Sequence, residues 1–313
     1  MAFKQEPQVF TAKINTLSIG PDGKAITLGG ENVLPFYIFD APIEHRPKIG
    51  VAISDLGNPN GIPGLDKFYA GADTVVEKAK KAASMPGADF LVICLNGAHP
   101  DNGDKSPEEC AALVKEVADA VDMPIAVEGC QSIEKDAKVF EKVSEAVQGK
   151  NVLILSAREE NYKAVAAAAG LAYTQNVGAE SAVDINLAKQ LNVLISQMGV
   201  KPDKVAMNLG SAAVGYGFEY IASTIDRVKG AALAQNDAML QMPIIIPVYA
   251  EAWSIKESIA SVEDYPEWGP AETRGVNVEV STASACLAAG ANAVVMIHPD
   301  AVAAVSALID ALV

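Results

Sequence analysis

Polar side chains close most of the apolar, strand-like runs along this chain, and amides and carboxylates prevail among them. Amides offer hydrogen-bond donors and acceptors without adding charge, so they suit a ring system with many polar edges, such as a pterin or a corrin. A phosphorylated sugar would call for basic residues, which these positions lack. For Asp55 or Glu128 taken alone, capping of the next helix is an equally good interpretation. The closing residues are Asp55, Asn96, Glu128, Ser156, Gln175, Asn208, Tyr249 and His298.

Histidine and cysteine, the usual residues of metal sites and nucleophiles, form no recognisable cluster in the sequence. No two of the three histidines lie at metal-ligand spacing, which disfavours a zinc-dependent hydrolase. The four cysteines include no CxxC pair, so we expect neither a zinc site nor an iron–sulfur site from this chain alone. His298 is better interpreted as a turn residue near a helix start than as an acid or base. We therefore expect no metal site and no catalytic residue here.

A glycine-rich segment, NLGSAAVGYGFEY, follows the sixth apolar run. Exposed backbone amides around Gly210, Gly215 and Gly217 could receive an anion or the edge of a cofactor at the start of the next helix. A turn that needs glycine for its backbone geometry is an equally good interpretation. The GxGxxG fingerprint of dinucleotide-binding folds is absent from the segment.

Eight apolar runs, most of them followed by a helical stretch, must position these side chains. This rhythm predicts an α/β fold, a (β/α)8 TIM barrel, in which ligands are bound by the loops after the strands. The predicted strands are Ile49–Ser54, Phe90–Leu95, Pro124–Glu128, Val152–Ser156, Leu171–Gln175, Val205–Asn208, Ile244–Tyr249 and Ala293–Ile297.

The first forty residues differ from the rest of the chain. Val9–Ile19 and Lys24–Leu28 flank Pro21-Asp22-Gly23, a turn sequence, and together they predict a β-hairpin. We expect this hairpin to lie under the barrel or to form part of an interface. The predicted organisation is therefore an N-terminal β-hairpin extension over residues 1–45 and a TIM barrel over residues 46–313.

Three predicted loops are long for a barrel, in which about 2–6 residues is usual. They begin at Asp55, at Asn96 and at Ala250, and the last of them contains both tryptophans, Trp253 and Trp268. Packing of the long loop on itself would explain these aromatic residues, but their concentration in one loop favours a binding surface. Long loops at one end of a barrel suggest a large ligand or a partner protein.

Composition narrows the classes of partner. The formal charge is 24 − 39 = −15, which argues against nucleic acid or an anionic membrane as the main partner. The N-terminus lacks the pattern of a secretion signal, and no apolar stretch approaches the roughly 20 residues that span a bilayer. We expect a cytoplasmic protein that does not cross a membrane.

Several stretches together resemble a known family. GGENVLPFYIFDAP, HRPKIGVAISD, NLGSAAVGYGFEY, EAW and WGPAETRG follow a Thr-rich hairpin in this order. The sequence resembles the small subunit of the corrinoid/iron–sulfur protein, the delta-subunit family of acetyl-CoA decarbonylase/synthase, over essentially its whole length.

This resemblance implies a heterodimer with a larger subunit that carries an iron–sulfur cluster, and a cobalamin (corrinoid) held between the two subunits. The cobalt would accept a methyl group from methyltetrahydrofolate through a separate methyltransferase and pass it to acetyl-CoA synthase. The chain lacks the D-x-H-x-x-G signature of many cobalamin domains, so we expect no histidine ligand to cobalt from it. From their predicted places at the barrel mouth, we expect five residues to face the corrin, namely Asn96, Gln175, Asn208, Gly210 and Tyr249.

Two alternatives remain open. The chain could be a pterin-binding TIM-barrel methyltransferase that acts itself on methyltetrahydrofolate, in which case Glu128 must be buried beside Asn96 and Asn208. It could also be a purely structural barrel whose mouth serves only to dock a partner.

Overall fold

The computed structural model describes residues 6–58 and 60–313, so the first five residues of the predicted extension and Pro59 of the first loop lie outside the described residues. The chain forms an antiparallel hairpin of strands β1 (Leu17–Ile19) and β2 (Ile26–Leu28), followed by a closed barrel of eight parallel strands in the order β10-β3-β4-β5-β6-β7-β8-β9. The predicted barrel with an N-terminal hairpin is thus confirmed. The barrel strands are β3 (Lys48–Ser54), β4 (Phe90–Cys94), β5 (Ile125–Glu128), β6 (Leu153–Ala157), β7 (Asn176–Glu180), β8 (Val205–Asn208), β9 (Ile244–Ile246) and β10 (Ala293–Met296).

The barrel strands are apolar because they are covered on both faces, by the packed interior and by the outer helices. All five residues of β4 are buried. Gly50 in β3 pairs with Phe90 in β4, and a Cβ atom added at Gly50 would lie 2.5 Å from the Phe90 ring. This close approach explains a glycine in a buried strand.

The helices form the outer layer, and their starts follow local sequence signals. Thr74 and Ser106 each begin a helix with a capping box, in which the side chains of Glu77 and Glu109 return hydrogen bonds to the cap residues. Within the described residues, no helix is long and apolar enough to cross a membrane. The helices are α1 (Leu65–Phe68), α2 (Val75–Ala83), α3 (Pro107–Ala120), α4 (Ile133–Ala146), α5 (Tyr162–Val165) with a π-helical continuation (Ala166–Ala172), α6 (Ile185–Gln197), α7 (Phe218–Ala234), α8 (Val248–Ala252), α9 (Lys256–Ile259), α10 (Ala271–Ala289) and α11 (Pro299–Leu312).

The hairpin closes the end of the barrel at which the strands begin. The side-chain amides of Asn151, just before β6, and Asn176, the first residue of β7, both donate to the backbone carbonyl of Ser18, each at 2.8 Å. The Gly20 N–H donates in turn to the Asn151 carbonyl. The expected position under the barrel is therefore correct, although the strands are shorter than predicted. The division into domains at residues 45 and 46 stays a prediction.

Two predicted strands need correction. The strand expected at Leu171–Gln175 is wrong, because the π-helical turn runs to Ala172 and β7 begins only at Asn176. The run expected at Ile244–Tyr249 ends at Ile246, and α8 starts two residues later. Pro247 explains this early end, because it has no N–H to continue the ladder.

Candidate functional site

The candidate site is the mouth of the barrel at the carboxyl ends of the strands. Tyr249 in α8 reaches across this mouth, since its hydroxyl donates to Glu128 Oε2 at 3.1 Å and lies 3.2 Å from Cys94 Sγ. Strands β9 and β5 stand on opposite sides of the closed barrel, four strands apart in either direction. The Tyr249 side chain therefore divides the mouth into two parts. We call them the β3–β4 half, which contains Ser54 and Asn96, and the β6–β8 half, which contains Ser156 and Asn208.

In the β3–β4 half, a chain of hydrogen bonds fixes the amide of Asn96. The Leu56 N–H donates to Ser54 Oγ at 3.1 Å, and Ser54 Oγ donates to Asn96 Oδ1 at 2.8 Å. Among the described residues, Asn96 Nδ2 has no hydrogen-bond partner, and Asn96 borders a cavity of about 340 Å³. This half therefore presents an unused donor to the cavity.

Asp55 lies beside this half, but its side chain binds to the neighbouring loop. Its side chain is fully buried, its Oδ1 accepts from the Gly97 N–H at 2.9 Å, and its Oδ2 pairs with Lys105 Nζ at 2.8 Å. Both partners belong to the segment after β4. Asp55 thus ties the first long loop to the second and does not cap the next helix, α1, whose N-cap is Gly64.

In the β6–β8 half, the amide of Asn208 is used at both ends. Its Nδ2 donates to Ser156 Oγ at 2.8 Å, and its Oδ1 accepts from the Gly210 N–H at 3.0 Å. Gly210 has a φ of +77°, and a Cβ atom there would lie 3.3 Å from Ala182 Cα. The glycine is therefore needed for the turn and for the close approach of the neighbouring loop.

Glu180 supplies the charged contact of the β6–β8 half. Its Oε1 lies 2.7 Å from a guanidinium nitrogen of Arg158, and its Oε2 lies 3.5 Å from Asn208 Nδ2. Ser156 lies inside β6 and the residue before α5 is Asn161, so Ser156 does not cap this helix.

The bridge across the mouth holds a carboxyl group that is about half ionised at neutral pH. Burial raises the pKa of Glu128 to about 7, although the hydrogen bond from Tyr249 and the nearby charge of Arg158 oppose the shift. Burial likewise raises the pKa of the Tyr249 hydroxyl and that of the Cys94 thiol well above their usual values. Proton transfer in this bridge near pH 7 is thus confined to Glu128.

His298 caps a helix instead of serving the mouth. Its Nδ1 accepts from the Asp300 N–H at 3.2 Å, so His298 is the N-cap of α11. Its ring stacks on Trp253 at 5.6 Å. The interpretation as a turn histidine near a helix start is confirmed.

Glu272, His298 and Asp300 place potential metal-ligating atoms within 4.8 Å of one another. Because His298 Nδ1 accepts a hydrogen bond, the proton of the neutral ring sits on Nε2, which lies 3.6 Å from Glu272 Oε1. The lone pair of Nδ1 is used by the Asp300 N–H, and Nε2 carries the proton, so neither nitrogen of this tautomer is free to bind a metal. The loop backbone at Gly64 also covers Nε2, since a Cβ atom there would lie 2.8 Å away.

The two tryptophans of the long loop that begins at Ala250 have different environments. Trp253 is 2% exposed and packs on Gly275, which matches self-packing of the loop. Trp268 is partly exposed, stacks on Tyr265 at 4.2 Å between ring centroids, and lies beneath the Arg274 guanidinium at 5.5 Å. Only Trp268 therefore remains available for the predicted binding surface.

Of the five residues predicted to face a cofactor, Gln175 is misplaced. It precedes β7 and lies at the opposite end of the barrel, where it is 1% exposed. Its Oε1 accepts from the Val152 N–H at 2.8 Å, and its Nε2 donates to the carbonyls of Ser144 and Val147. The error follows from the misassigned fifth strand.

The bridge from Tyr249 to Glu128 and the pairing of Ser54 with Asn96 were not predicted from the sequence. Pro247 could have signalled the early end of β9 and hence a tyrosine on a helix that overhangs the mouth. No local signal identifies a partner four strands away.

Comparisons with known proteins identify the family of this chain. A family model described as the CO dehydrogenase/acetyl-CoA synthase delta subunit matches residues 16–305. The acetyl-CoA decarbonylase/synthase complex subunit delta 2 of Methanosarcina acetivorans is 33% identical over 297 residues, which cover 94% of this chain and 67% of that protein. The corresponding subunit delta of Archaeoglobus fulgidus is 32% identical over 293 residues, or 92% of this chain and 64% of that protein. The chain spans about two thirds of the length of these relatives.

Solved structures with the same architecture include dihydropteroate synthases. The Yersinia pestis enzyme in a sulfonamide drug complex has a TM-score of 0.59 at 13% identity, and the match covers 94% of this chain and 98% of that one. The same enzyme with a pterine-sulfa conjugate has a TM-score of 0.56, again at 13% identity and with the same coverage. At this identity the likeness shows the fold alone.

Proposed function

The chain belongs to the CO dehydrogenase/acetyl-CoA synthase delta subunit family, and from this premise we propose that it is the small subunit of a heterodimeric corrinoid/iron–sulfur methyl carrier. Its barrel mouth helps to hold a cobalamin shared with a larger subunit, and the iron–sulfur cluster belongs to that partner. When bound, the corrinoid supplies the cobalt that carries a methyl group from methyltetrahydrofolate, through a methyltransferase, to acetyl-CoA synthase. The chain is then a carrier subunit in the acetyl-CoA pathway and not a stand-alone enzyme.

The side chains of the mouth suit a corrin. A corrin ring has an apolar face and a fringe of carboxamides, so it needs uncharged hydrogen-bonding groups next to apolar surface. Asn96 Nδ2 is an unused amide donor, and the cavity beside it is walled by Leu56, Ile62 and Ile297. Asn96 and the Tyr249 ring are the groups that we propose to face the corrin directly.

Asn208 and Gly210 have an indirect part in this proposal. Asn208 uses both ends of its amide within the protein, and it holds the turn at Gly210. Together they shape the edge of the mouth that the corrin meets. Gln175 is not included, because it is sealed at the other end of the barrel.

The cobalt ligand on this side is proposed not to be a histidine of the mouth. His99 Nδ1 accepts from the Asp101 N–H at 3.1 Å, and His298 Nδ1 accepts from the Asp300 N–H. Both rings are thereby held in local turns. This supports the expectation that this chain gives cobalt no histidine ligand.

A partner protein is proposed to dock on the rim of the mouth. Six large apolar side chains are exposed on the segments that follow β3, β8 and β9, and exposed apolar surface is common at interaction sites. The formal charge of −15 makes nucleic acid or an anionic membrane an unsuitable partner, and we propose a cytoplasmic location. The exposed side chains are Leu56, Val214, Tyr216, Tyr220, Ile259 and Val262.

The family match over residues 16–305 is the single observation that carries this proposal. The alternative, a pterin-binding methyltransferase, requires Glu128 beside Asn96 and Asn208. Glu128 instead bonds to Tyr249, whose side chain lies between the two halves. In that alternative, Tyr249 must move before a pterin can reach all three residues.

The test is an absorption spectrum of the protein purified from its native cells, together with a gel that shows copurifying chains. We expect a corrinoid spectrum with iron–sulfur absorbance and a second, larger band. A colourless single chain that binds methyltetrahydrofolate, with binding lost in Glu128→Gln, would replace the proposal with the pterin methyltransferase.

A further inference from the structure

We propose that the cavity in the β3–β4 half of the mouth takes one carboxamide side chain of the corrin, and that Asn96 Nδ2 donates a hydrogen bond to its carbonyl oxygen. This inference rests on the proposed function, because it names the group that the same mouth recognises in the corrinoid. It assigns Asn96 as a binding residue that selects for an uncharged acceptor.

The direction of the hydrogen bonds determines which end of the Asn96 amide faces the cavity. Ser54 Oγ accepts from the Leu56 N–H and donates its own proton to Asn96 Oδ1. Only the Oδ1 atom of an amide can accept that proton. The Nδ2 group is therefore left with both of its hydrogens, and within the described part of the chain nothing accepts them.

The cavity itself is suited to an uncharged side chain. Its volume is about 340 Å³, and every described residue that lines it is uncharged. Leu56, Ile62 and Ile297 offer apolar surface for methylene groups, while Asn96 and Asn102 offer amides for a polar tip. A short chain that ends in a carboxamide has both features.

A carboxylate would be disfavoured in the same place. Two lysines lie near this half, but neither lines the cavity: Lys105 is paired with Asp55 at 2.8 Å, and Lys78, whose Nζ lies beside Gly57, borders the adjoining pocket. A carboxylate that enters the cavity would lose water without an ion-pair partner on the described cavity wall, which is costly. The acidic balance of the chain adds to this penalty.

Among the described residues, the corresponding amide of the β6–β8 half, that of Asn208, is not free. Asn208 donates to Ser156 and lies near Glu180, and its oxygen accepts from Gly210. An incoming carbonyl would have to displace one of these bonds. The free donor in the β3–β4 half therefore makes that half the preferred position for the side chain.

The experiment measures the affinity of the two-subunit complex, stripped of its corrinoid, for two probes. Cobinamide has carboxamide side chains, and cobyrinic acid has carboxylates in their place. We expect cobinamide to bind the wild-type complex at least tenfold more tightly than cobyrinic acid, and Asn96→Leu to weaken cobinamide about tenfold. The readout is the visible spectrum of the bound corrin at equilibrium, which does not depend on methyl transfer.

Two further variants serve as controls. Asn186→Leu makes the same change at an exposed residue in the first turn of α6 and should leave both affinities unchanged. Ser54→Ala keeps the Asn96 amide but frees its orientation, so a loss of about threefold is expected, and this variant preserves a test if Asn96→Leu does not fold.

Equal binding of cobinamide by the wild type, Asn96→Leu and Ser54→Ala would overturn the inference and leave the proposed function intact. Equal binding of the two probes by the wild type would overturn it as well. A folded wild-type complex that binds neither probe would instead contradict the proposed function, and the inference with it.

Discussion

In the β6–β8 half of the mouth, Asn208 uses both ends of its amide within the protein, whereas in the β3–β4 half Asn96 uses only its oxygen. Both asparagines follow or end a barrel strand, and both pair with a serine from another strand. The difference lies in the atom that the serine binds. Ser156 accepts from Asn208 Nδ2, and the Gly210 N–H then donates to Asn208 Oδ1, whereas Ser54 donates to Asn96 Oδ1 and leaves Nδ2 free among the described residues. Residue type at a strand end therefore does not reveal whether a side chain supports the barrel or meets a ligand.

The largest effect that this comparison predicts is a difference in stability when the same substitution, asparagine to leucine, is made in each half of the mouth. Asn208→Leu leaves the Gly210 N–H and Ser156 without their partner in a buried setting and should cost about 2–3 kcal/mol of unfolding free energy. Asn96→Leu, which removes one bond beside an open cavity, should cost less than about 1 kcal/mol. Denaturant unfolding of the two variants measures both values, and equal losses would remove the distinction between the halves.

The bridge between the halves should make stability depend on pH. The pKa of Glu128 is raised to about 7 in the folded protein from 4.5, so the folded state holds a proton that the unfolded state releases. Stability should therefore fall as pH rises from about 4.5 to 7. In Glu128→Gln this fall should be smaller, and the unfolding free energy at pH 8 should exceed that of the wild type by an amount on the order of 1–3 kcal/mol.

Glu279 has a similarly raised pKa of about 7 because of burial, so part of the fall should persist in that variant. Unfolding curves between pH 4 and pH 9 test the prediction. Parallel curves for the wild type and Glu128→Gln would show that Glu128 does not bind the extra proton.

Removing the hydroxyl of the bridge should have a smaller effect. Tyr249→Phe should cost about 1 kcal/mol of stability. It should also raise the pKa of Glu128 further, because the Tyr249 hydrogen bond lowers that pKa in the wild type. Carbon NMR of the Glu128 carboxyl group follows the titration, and an unchanged or lower pKa would be evidence against the bridge.

The smallest effect is expected for Ser54→Ala. The variant removes the group that orients Asn96 but leaves no charged group unpaired, so the loss should stay below about 1 kcal/mol. Thermal unfolding measures this value. A loss of stability as large as that of Asn208→Leu would mean that hydrogen bonds in the β3–β4 half stabilise the protein as much as those in the β6–β8 half.

Much of the fold could be predicted from the sequence, because buried parallel strands are apolar along their whole length, as in Phe90–Cys94. The error at Gln175 has a physical cause. The true strand, Asn176–Glu180, contains Asn, Gly and Glu, and it is less apolar than the preceding Leu171-Ala172 segment, which is helical.

The site was less predictable, since it depends on contacts between distant strands. Asn96 and Tyr249 lie at the mouth, as their places in the sequence predicted. The position of the Asn96 side chain depends on Ser54, which lies 42 residues away, and that of Tyr249 on Glu128, which lies 121 residues away. Local patterns do not encode such pairs. The stacking of His298 on Trp253 escaped prediction for the same reason.

The central claim is that the mouth, and within it the β3–β4 half, faces the corrinoid. Hydrogen–deuterium exchange of the two-subunit complex, with and without cobinamide, tests this claim most directly. We predict that the corrinoid slows exchange in the loops at residues 55–64 and 96–104 and leaves the hairpin at residues 17–28 unchanged. Slower exchange at the hairpin with no change in those two loops would contradict the account.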